Sequence, residues 1–331
     1  MGDVDVIIPA YNARHTIACA LASVAAQTVK PKRAIVVVDG SPDGTREAAE
    51  ACRKDMNGVD LTVIWQENQG AGAARNCAIA ESTAAYVAFL DADDEWLPEK
   101  LQHSLPHLED PNVVLVSHNV LVNDGIDEVL VDCTPHFENS NDPFVTLYRR
   151  GFISTSTTLA RRDAVIAAGG FDTSLRNAQD FDLWLAMLAK PGAGIKVFNQ
   201  ALTRNHVTQG SIMSHTKRRL RCGVIIAVRH VPSLRARAGS MLASLWFRII
   251  AVHYEAIMAY RSRNKYLRVG LVLAQLPGTL IGATLDALIG DDARPGKAMA
   301  AIFGVWIIVI FAAYVFQFRD LAAPILQVLG G

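Results

Sequence analysis

The chain has 331 residues, with 32 Lys and Arg against 32 Asp and Glu, so its formal net charge at pH 7 is zero with histidine neutral. That length allows one sizeable domain plus an appendage, and the balanced charge gives no case for nucleic-acid binding. The five cysteines, Cys19, Cys52, Cys77, Cys133 and Cys222, are odd in number and lack paired spacing, which argues against a disulfide framework or a zinc signature and fits a reducing compartment.

The chain opens directly on an apolar run over 4–10, with no charged-then-apolar leader, so a secretory signal peptide is not expected. Further strands are expected at 34–39, 61–66, 86–90 and 113–117, and helices at 15–27, 45–56, 71–82 and 98–108. Val- and Ile-rich strands alternating with helices of this length imply an α/β domain, Rossmann-like, with a mostly parallel buried sheet. In such sheets ligands gather at the carboxyl ends of the strands. Polar punctuation falls at four of those ends: Pro9-Ala10-Tyr11-Asn12, then Asp39-Gly40-Ser41-Pro42-Asp43-Gly44, then Glu67-Asn68-Gln69-Gly70, then Asp91-Ala92-Asp93-Asp94. One shared cleft is the expectation.

The last of these is the most telling. Three carboxylates in four positions, straight after the apolar run 86–90, repel one another unless a cation or a hydrogen-bond network compensates. In an extended chain Asp91 and Asp93 point the same way and can bracket one hard divalent ion. The alternative is a strand-to-helix turn, with Asp93 or Asp94 capping a helix opened by Pro98. From 119 to 205 the pattern is less regular, as an acceptor-side half would be. There a Gly169-Gly170 turn leads through Phe171-Asp172 to Gln179-Asp180 at the start of an amphipathic helix, where Asp180 is either a cap or a working carboxylate.

After residue 214 the character changes. The segment 217–265 is basic and amphipathic, with Trp246, Phe247, Ile249, Ile250 and Tyr254 set among arginines, and fits either an anionic lipid surface or packing on the catalytic domain. Residues 269–290 are apolar but contain Pro277 and Asp286, so they form a span, a re-entrant piece or an interfacial helix. Residues 298–318 are 21 positions without a formal charge, long enough at about 1.5 Å per residue to cross a core of roughly 30 Å, and a transmembrane helix is expected there. The expected division is thus 1–214 catalytic, 215–265 basic linker, 266–318 membrane-associated and 319–331 tail. Basic residues crowding ahead of the apolar spans predict a cytoplasmic face.

Five motifs in order, covering about residues 3–214, resemble family 2 glycosyltransferases of the GT-A fold. They are Val6-Ile7-Ile8-Pro9-Ala10-Tyr11-Asn12, Val38-Asp39-Gly40-Ser41-Pro42-Asp43-Gly44-Thr45, Asn68-Gln69-Gly70 through Ala74-Arg75-Asn76, Asp91-Ala92-Asp93-Asp94, and Gly170-Phe171-Asp172 with Gln179-Asp180. Two departures stand out: Val38 replaces the first acid of an Asp-Asp-Gly-Ser element, and Gln179 replaces the Glu of a Glu-Asp pair.

The resemblance implies that Pro9, Ala10 and Tyr11 line a nucleotide pocket with Tyr11 beside the uracil, that Asp39 meets the base, and that Arg75 approaches the nucleotide or diphosphate; the residues alone equally allow a packed Tyr11, an Asx-turn closed by Asp39 before Gly40 and a solvated Arg75. It implies further that Asp91 and Ala92 sit at the donor, that Asp93, with Asp91 and His206, serves a Mg²⁺ or Mn²⁺, and that Asp180 is the general base. His206, followed by Ser211 and Ser214, resembles a segment that closes over the diphosphate. The implied activity is inverting transfer from a nucleotide sugar, UDP-linked by expectation, to a polyprenyl-linked saccharide at the bacterial inner membrane, cytoplasmic side, in exopolysaccharide, capsule or O-antigen assembly. Alternatives are a processive synthase, whose Gln-x-x-Arg-Trp element is missing here, and a nucleotide-sugar-binding membrane protein without catalysis.

Overall fold

The structure, a computed structural model, describes residues 3–138, 140–151, 153–207 and 215–289. These fall into two compact units that part after Gln209, with Tyr148–Arg150 grouped with the second.

The first unit is built on a nine-stranded sheet. Its strands are β1 (Val4–Ala10), β2 (Arg33–Asp39), β3 (Asp60–Gln66), β4 (Tyr86–Phe89), β5 (Glu95–Trp96), β6 (Val113–Asn123), β7 (Glu128–Val131), β8 (Leu159–Arg161) and β9 (Gly194–His206). They lie in the order β3-β2-β1-β4-β8-β6-β9-β5, with β7 added on β6. The first four are mutually parallel, Ile7 standing opposite both Ile35 and Phe89. Beyond β4 the sheet is mixed: β8 pairs antiparallel with β4 and β6, while β9 runs parallel to β6 and antiparallel to β5.

The helices of this unit are α1 (Ile17–Ala25), α2 (Thr45–Ala51), α3 (Ala71–Glu81), α4 (Lys100–Ser104), α5 (Thr134–Glu138), α6 (Pro143–Arg150, whose end joins the second unit), α7 (Arg162–Ala167) and α8 (Gln179–Ala189). Val6, Ile7 and Ile8 are all fully buried, so β1 is covered on both faces and reads as a continuous apolar run rather than an alternating one. Val4, Val6 and Ile8 pack with Ile17, Leu21 and Val24 of α1 and with Val36 and Val38 of β2.

Two expected helices are shorter than their periodicity implied. The one at 98–108 becomes α4 followed by a 3-10 turn over Leu105–Glu109, where Pro106 has no N–H to give to the α ladder. The one at 45–56 closes as α2 and a 3-10 turn over Cys52–Asp55. The strand expected at 113–117 runs on to Asn123, because its later half pairs with β7 and β9.

The second unit holds α9 (Thr216–Arg229), α10 (Val231–Arg235), α11 (Met241–Arg261) and α12 (Tyr266–Ile289). The basic segment 217–265 is therefore three helices, not one amphipathic rod. Its aromatic and aliphatic set is turned inward: Ile249 and Ile250 are buried, none of Trp246, Phe247 and Tyr254 is exposed, and Trp246 Nε1 donates to Thr284 Oγ1 (2.8 Å). Both α11 and α12 are long and apolar enough to cross a membrane by length and composition, which was not expected of α11. Helix α12 continues through Pro277. The linker 291–297, the span expected at 298–318, the tail 319–331 and the residues Ser211 and Ser214 lie outside the described residues.

Candidate active site

The carboxyl ends of β1, β2, β3 and β4 lie side by side, and each delivers one of the polar segments read from the sequence. Pro9 and Ala10 finish β1, and Tyr11 follows with half of its surface (53%) open, leaving a ring face for stacking. The 39–45 loop clamps this end. Ser41 Oγ accepts from Asn12 N (2.7 Å), Thr45 Oγ1 from Ala13 N (2.9 Å) and Asp43 Oδ2 from Arg14 N (3.1 Å). Partial burial raises the Asp43 carboxyl, but hydrogen bonds from Ser41, Thr45 and the backbone of Arg14 and Thr45 outweigh it and hold the group below the usual carboxylate range.

Asp39 is buried, 2% exposed. Its Oδ1 accepts from Gln66 Nε2 (2.7 Å) and Gln69 N (2.9 Å), its Oδ2 from Gly70 N (2.7 Å), and its carbonyl from Asn68 Nδ2 (2.9 Å). The carboxylate thus ties the β3 end and the start of α3 to β2. Gly40 permits the closeness: φ is +66°, and a Cβ there would stand 2.6 Å from Asn68 N.

The acidic loop follows β4. Asp91, about one third exposed, pairs with Arg75 of α3 (Nη2–Oδ1 2.5 Å). Arg75 is itself buried, lies 5.2 Å from the Phe171 ring centre, and its Nε has no hydrogen-bond partner among the described residues. Ala92 is buried, and Asp93 is half-buried beside it. Asp94 turns inward, where Ser156 Oγ (2.5 Å) and His206 N (3.1 Å) donate to its carboxylate. Burial first, then the neighbouring Asp91 and Asp93 charges, push this carboxyl well above its ordinary range. Of the three acids, Asp91 and Asp93 remain partly open and Asp94 is internal. His206 is brought beside them by its backbone, while its Nε2 lies 3.2 Å from Glu95 Oε1.

Asp180 is not the cap of α8. That position is Ala178, in the left-handed region at φ +57°, and Asp180 sits in the first turn. Its Oδ1 accepts from Phe181 N (2.9 Å) and its Oδ2 from Thr155 Oγ1 (2.7 Å). The Gly170-Phe171 segment ahead of it is fastened to α3 by Asn76, whose Oδ1 accepts from Phe171 N (2.8 Å) and whose Nδ2 donates to Phe171 O (2.8 Å). Phe89, Phe171 and Trp184 then stack edge-on or tilted at 5.4–6.0 Å between ring centres.

From the sequence, Ser41, Asp43 and Thr45 are legible only as parts of a strand-end motif, with no sign of the clamp they form, and the 3-10 turn Thr155–Thr157 carries no assigned role. The only signal for the turn was a run of five hydroxyl residues, Ser154 to Thr158, ahead of an apolar pair. An open groove of about 500 Å³ lies beside the 39–45 loop, lined by Arg14, Arg46, Glu47, Trp65 and residues 41–44, none of which is an expected site residue. Among the described residues no three His, Cys, Asp or Glu side chains are gathered as a metal cage.

The profile of the family described as Glycosyl transferase family 2 matches residues 5–168. TuaG of Bacillus subtilis, whose name links it to teichuronic acid biosynthesis, is 30% identical over 219 residues, 64% of this chain and 82% of that protein. The chain belongs to glycosyltransferase family 2. The amylovoran biosynthesis glycosyltransferase AmsB of Erwinia amylovora is 33% identical over 186 residues, 54% of this chain and 61% of its own length, so the match leaves more than a third of that relative uncovered. Among solved structures, Staphylococcus aureus TarS 1–349 with UDP superposes at TM-score 0.62 and 20% identity, covering 86% of this chain and 81% of that one. The mannosyltransferase PcManGT of Pyrobaculum calidifontis, with GDP-Man and Mn²⁺, gives 0.58 and 21%, covering 88% of each. The fold is that of the GT-A glycosyltransferases.

Proposed function

We propose that this family 2 member is an inverting, metal-dependent glycosyltransferase that moves a sugar from a UDP-linked donor to a polyprenyl-linked saccharide. Its setting is exopolysaccharide, capsule or O-antigen assembly at the cytoplasmic face of a bacterial inner membrane. The observation that carries this reading is the arrangement of carboxylates: Asp180 and the Asp91–Asp94 loop are held by consecutive residues, Thr155 and Ser156, of a single turn.

In this reading the base lies against Tyr11 and offers a donor to Asp39, with Pro9 and Ala10 as the pocket floor and Ala92 at the ribose side. Asp91 and Asp93 are partly open, hard oxygen donors, and fit a Mg²⁺ or Mn²⁺ whose other positions go to phosphate and water, with His206 adjacent. When bound, that ion supplies Lewis-acid stabilisation of the departing diphosphate. Arg75, with one guanidinium nitrogen spoken for by Asp91, orients that carboxylate and adds positive charge on the diphosphate side. Asp180 takes the proton of the acceptor hydroxyl as it attacks from the face opposite the diphosphate, inverting the anomeric centre without a covalent intermediate.

UDP and nucleotide-sugar complexes of the fold relatives support the donor class, and TuaG and AmsB, named for polysaccharide biosynthesis, support the pathway class. The apolar α11 and α12 support a membrane acceptor. Donor turnover by Asp93→Ala and Asp180→Asn proteins of unchanged fold tests the mechanism. Each should fall at least about 100-fold, and wild-type rates in both would overturn it. Chelation with EDTA should abolish turnover, with recovery on Mn²⁺ or Mg²⁺.

A further inference from the structure

We propose that the turn Thr155–Thr157 is a two-sided positioning device, in which Thr155 aims the Asp180 carboxylate at the acceptor and Ser156 sets the loop that receives the donor. This rests on the roles proposed above for Asp180 and for Asp91 and Asp93.

Thr155 Oγ1 donates to Asp180 Oδ2 at 2.7 Å. The next residue faces the other way. Ser156 Oγ donates to Asp94 Oδ2 (2.5 Å) and accepts from Asp91 N (3.0 Å), so a single hydroxyl grips both ends of the acidic loop. The Ser156 carbonyl accepts from Trp96 Nε1 (2.7 Å) and Thr203 Oγ1 (3.2 Å), which adds β5 and β9 to the same point. The remaining hydroxyls stiffen the turn: Thr157 Oγ1 bonds Ser154 O (2.7 Å) and Ser117 Oγ (2.7 Å), and Thr158 Oγ1 donates to Thr155 O (2.6 Å). Residues 155 to 158 are all buried, at most 7% exposed.

Buried hydroxyls lose water and need each of these bonds to offset that loss. The outcome is a rigid dipeptide with the acceptor-side carboxylate on one residue and the donor-side loop on the next. Positioning of this kind acts on rate through alignment of the reacting groups.

The test uses the full chain in detergent, with UDP and Mn²⁺ as the binding probe and UDP release from UDP-glucose, UDP-galactose and UDP-N-acetylglucosamine as the turnover assay. Thr155→Val should lower kcat about 10- to 100-fold and leave the Kd for UDP within about twofold, since one hydrogen bond to a charged group is lost on the acceptor side only. Thr155→Ser should restore most of kcat. Ser156→Ala should raise the Kd for UDP and Mn²⁺ about fivefold or more. If that variant does not fold, Ser156→Cys keeps the volume, weakens both bonds and carries the same expectation. In an Asp180→Asn background, Thr155→Val should add little further loss.

Wild-type kcat in Thr155→Val, alongside an inactive Asp180→Asn, would overturn the positioning role and leave the proposed base standing. Equal losses of kcat and affinity in both variants would also overturn it, reducing the turn to a packing element. A fully active Asp180→Asn would instead remove the base assignment, and the Thr155 half with it.

Discussion

Lys100 is fully buried, with its Nζ 4.2 Å from the Trp96 ring centre and 3.4 Å from Thr158 O. Desolvation lowers its pKa from the ordinary 10.5 to about 7. Below that value folded and unfolded chains both carry the proton, and the folded state bears the full cost of a buried cation. From about 7 to 10.5 the unfolded chain still binds a proton that the folded one has released, so this group makes stability rise with pH. Lys100→Met should therefore stabilise the protein near neutrality by about 1–3 kcal/mol and flatten its alkaline gain, as thermal unfolding at neutral and mildly alkaline pH would register. Asp5 and Asp43 make stability rise with pH as well, but in the acid range and because the folded state favours their charged form rather than penalising it. Burial raises both carboxyls, but the Arg33 and Ser82 bonds on Asp5 and the Ser41 and Thr45 bonds on Asp43 leave both below the ordinary value of 3.8. Their contribution is present above that value and disappears as pH falls through the lower folded one. Asn at either position should flatten the loss of thermal stability in acid. None of the three roles was legible in the sequence, where a lone Lys or Asp carries no sign of its partners.

At the scale of elements, α3 is the frame on which the site is assembled. Arg75 and Asn76, neighbours in sequence, secure the acidic loop and the Gly170-Phe171 segment respectively. Gly170 has φ +69°, and a Cβ there would lie 2.7 Å from Asn76 Oδ1. Gly170→Ala should cost about 1–3 kcal/mol in urea unfolding and displace Phe171 from beneath Arg75. The strands at the core of this unit were readable because burial on both faces forces unbroken Val and Ile runs, as in Val6-Ile7-Ile8 and Ile35-Val36-Val37-Val38. Four of the five motifs were readable because they fall at strand ends, and the fifth because a Gly-Gly turn leads into the α8 helix. What joins them was not: Thr155 and Ser156 read as loop, since hydroxyl residues favour turns whether or not they are buried. Asp39 was expected to meet a base or close a local turn, yet its bonds go to residues 66–70, a pairing that depends on strand order rather than on local sequence.

For the whole molecule, the question is what the second unit meets. Along α12, Val272, Leu276, Leu280, Ala283 and Ala287 are buried, whereas Leu267, Leu271, Leu273 and Leu288 are exposed, so the helix is apolar on both sides and only one side is covered within the described residues. Arg261, Arg263, Lys265 and Arg268 crowd its start, all exposed, and no charge follows until Asp286. The uncharged stretch 269–285 is about 25 Å long at about 1.5 Å per residue, close to the roughly 30 Å of a hydrocarbon core. A helix of this make-up gains free energy by placing its bare side in lipid, at about 25 cal/mol per Å² of apolar surface, with the basic end at anionic headgroups. Replacing Leu267 and Leu271 together by Asp removes that gain on a side that is exposed among the described residues. The double variant should therefore keep its melting temperature in detergent and its UDP release, while cosedimenting at least about tenfold less with phosphatidylglycerol vesicles. Unchanged cosedimentation would place the anchoring elsewhere in the chain, and a parallel fall in melting temperature would mean that this side of α12 is packed after all.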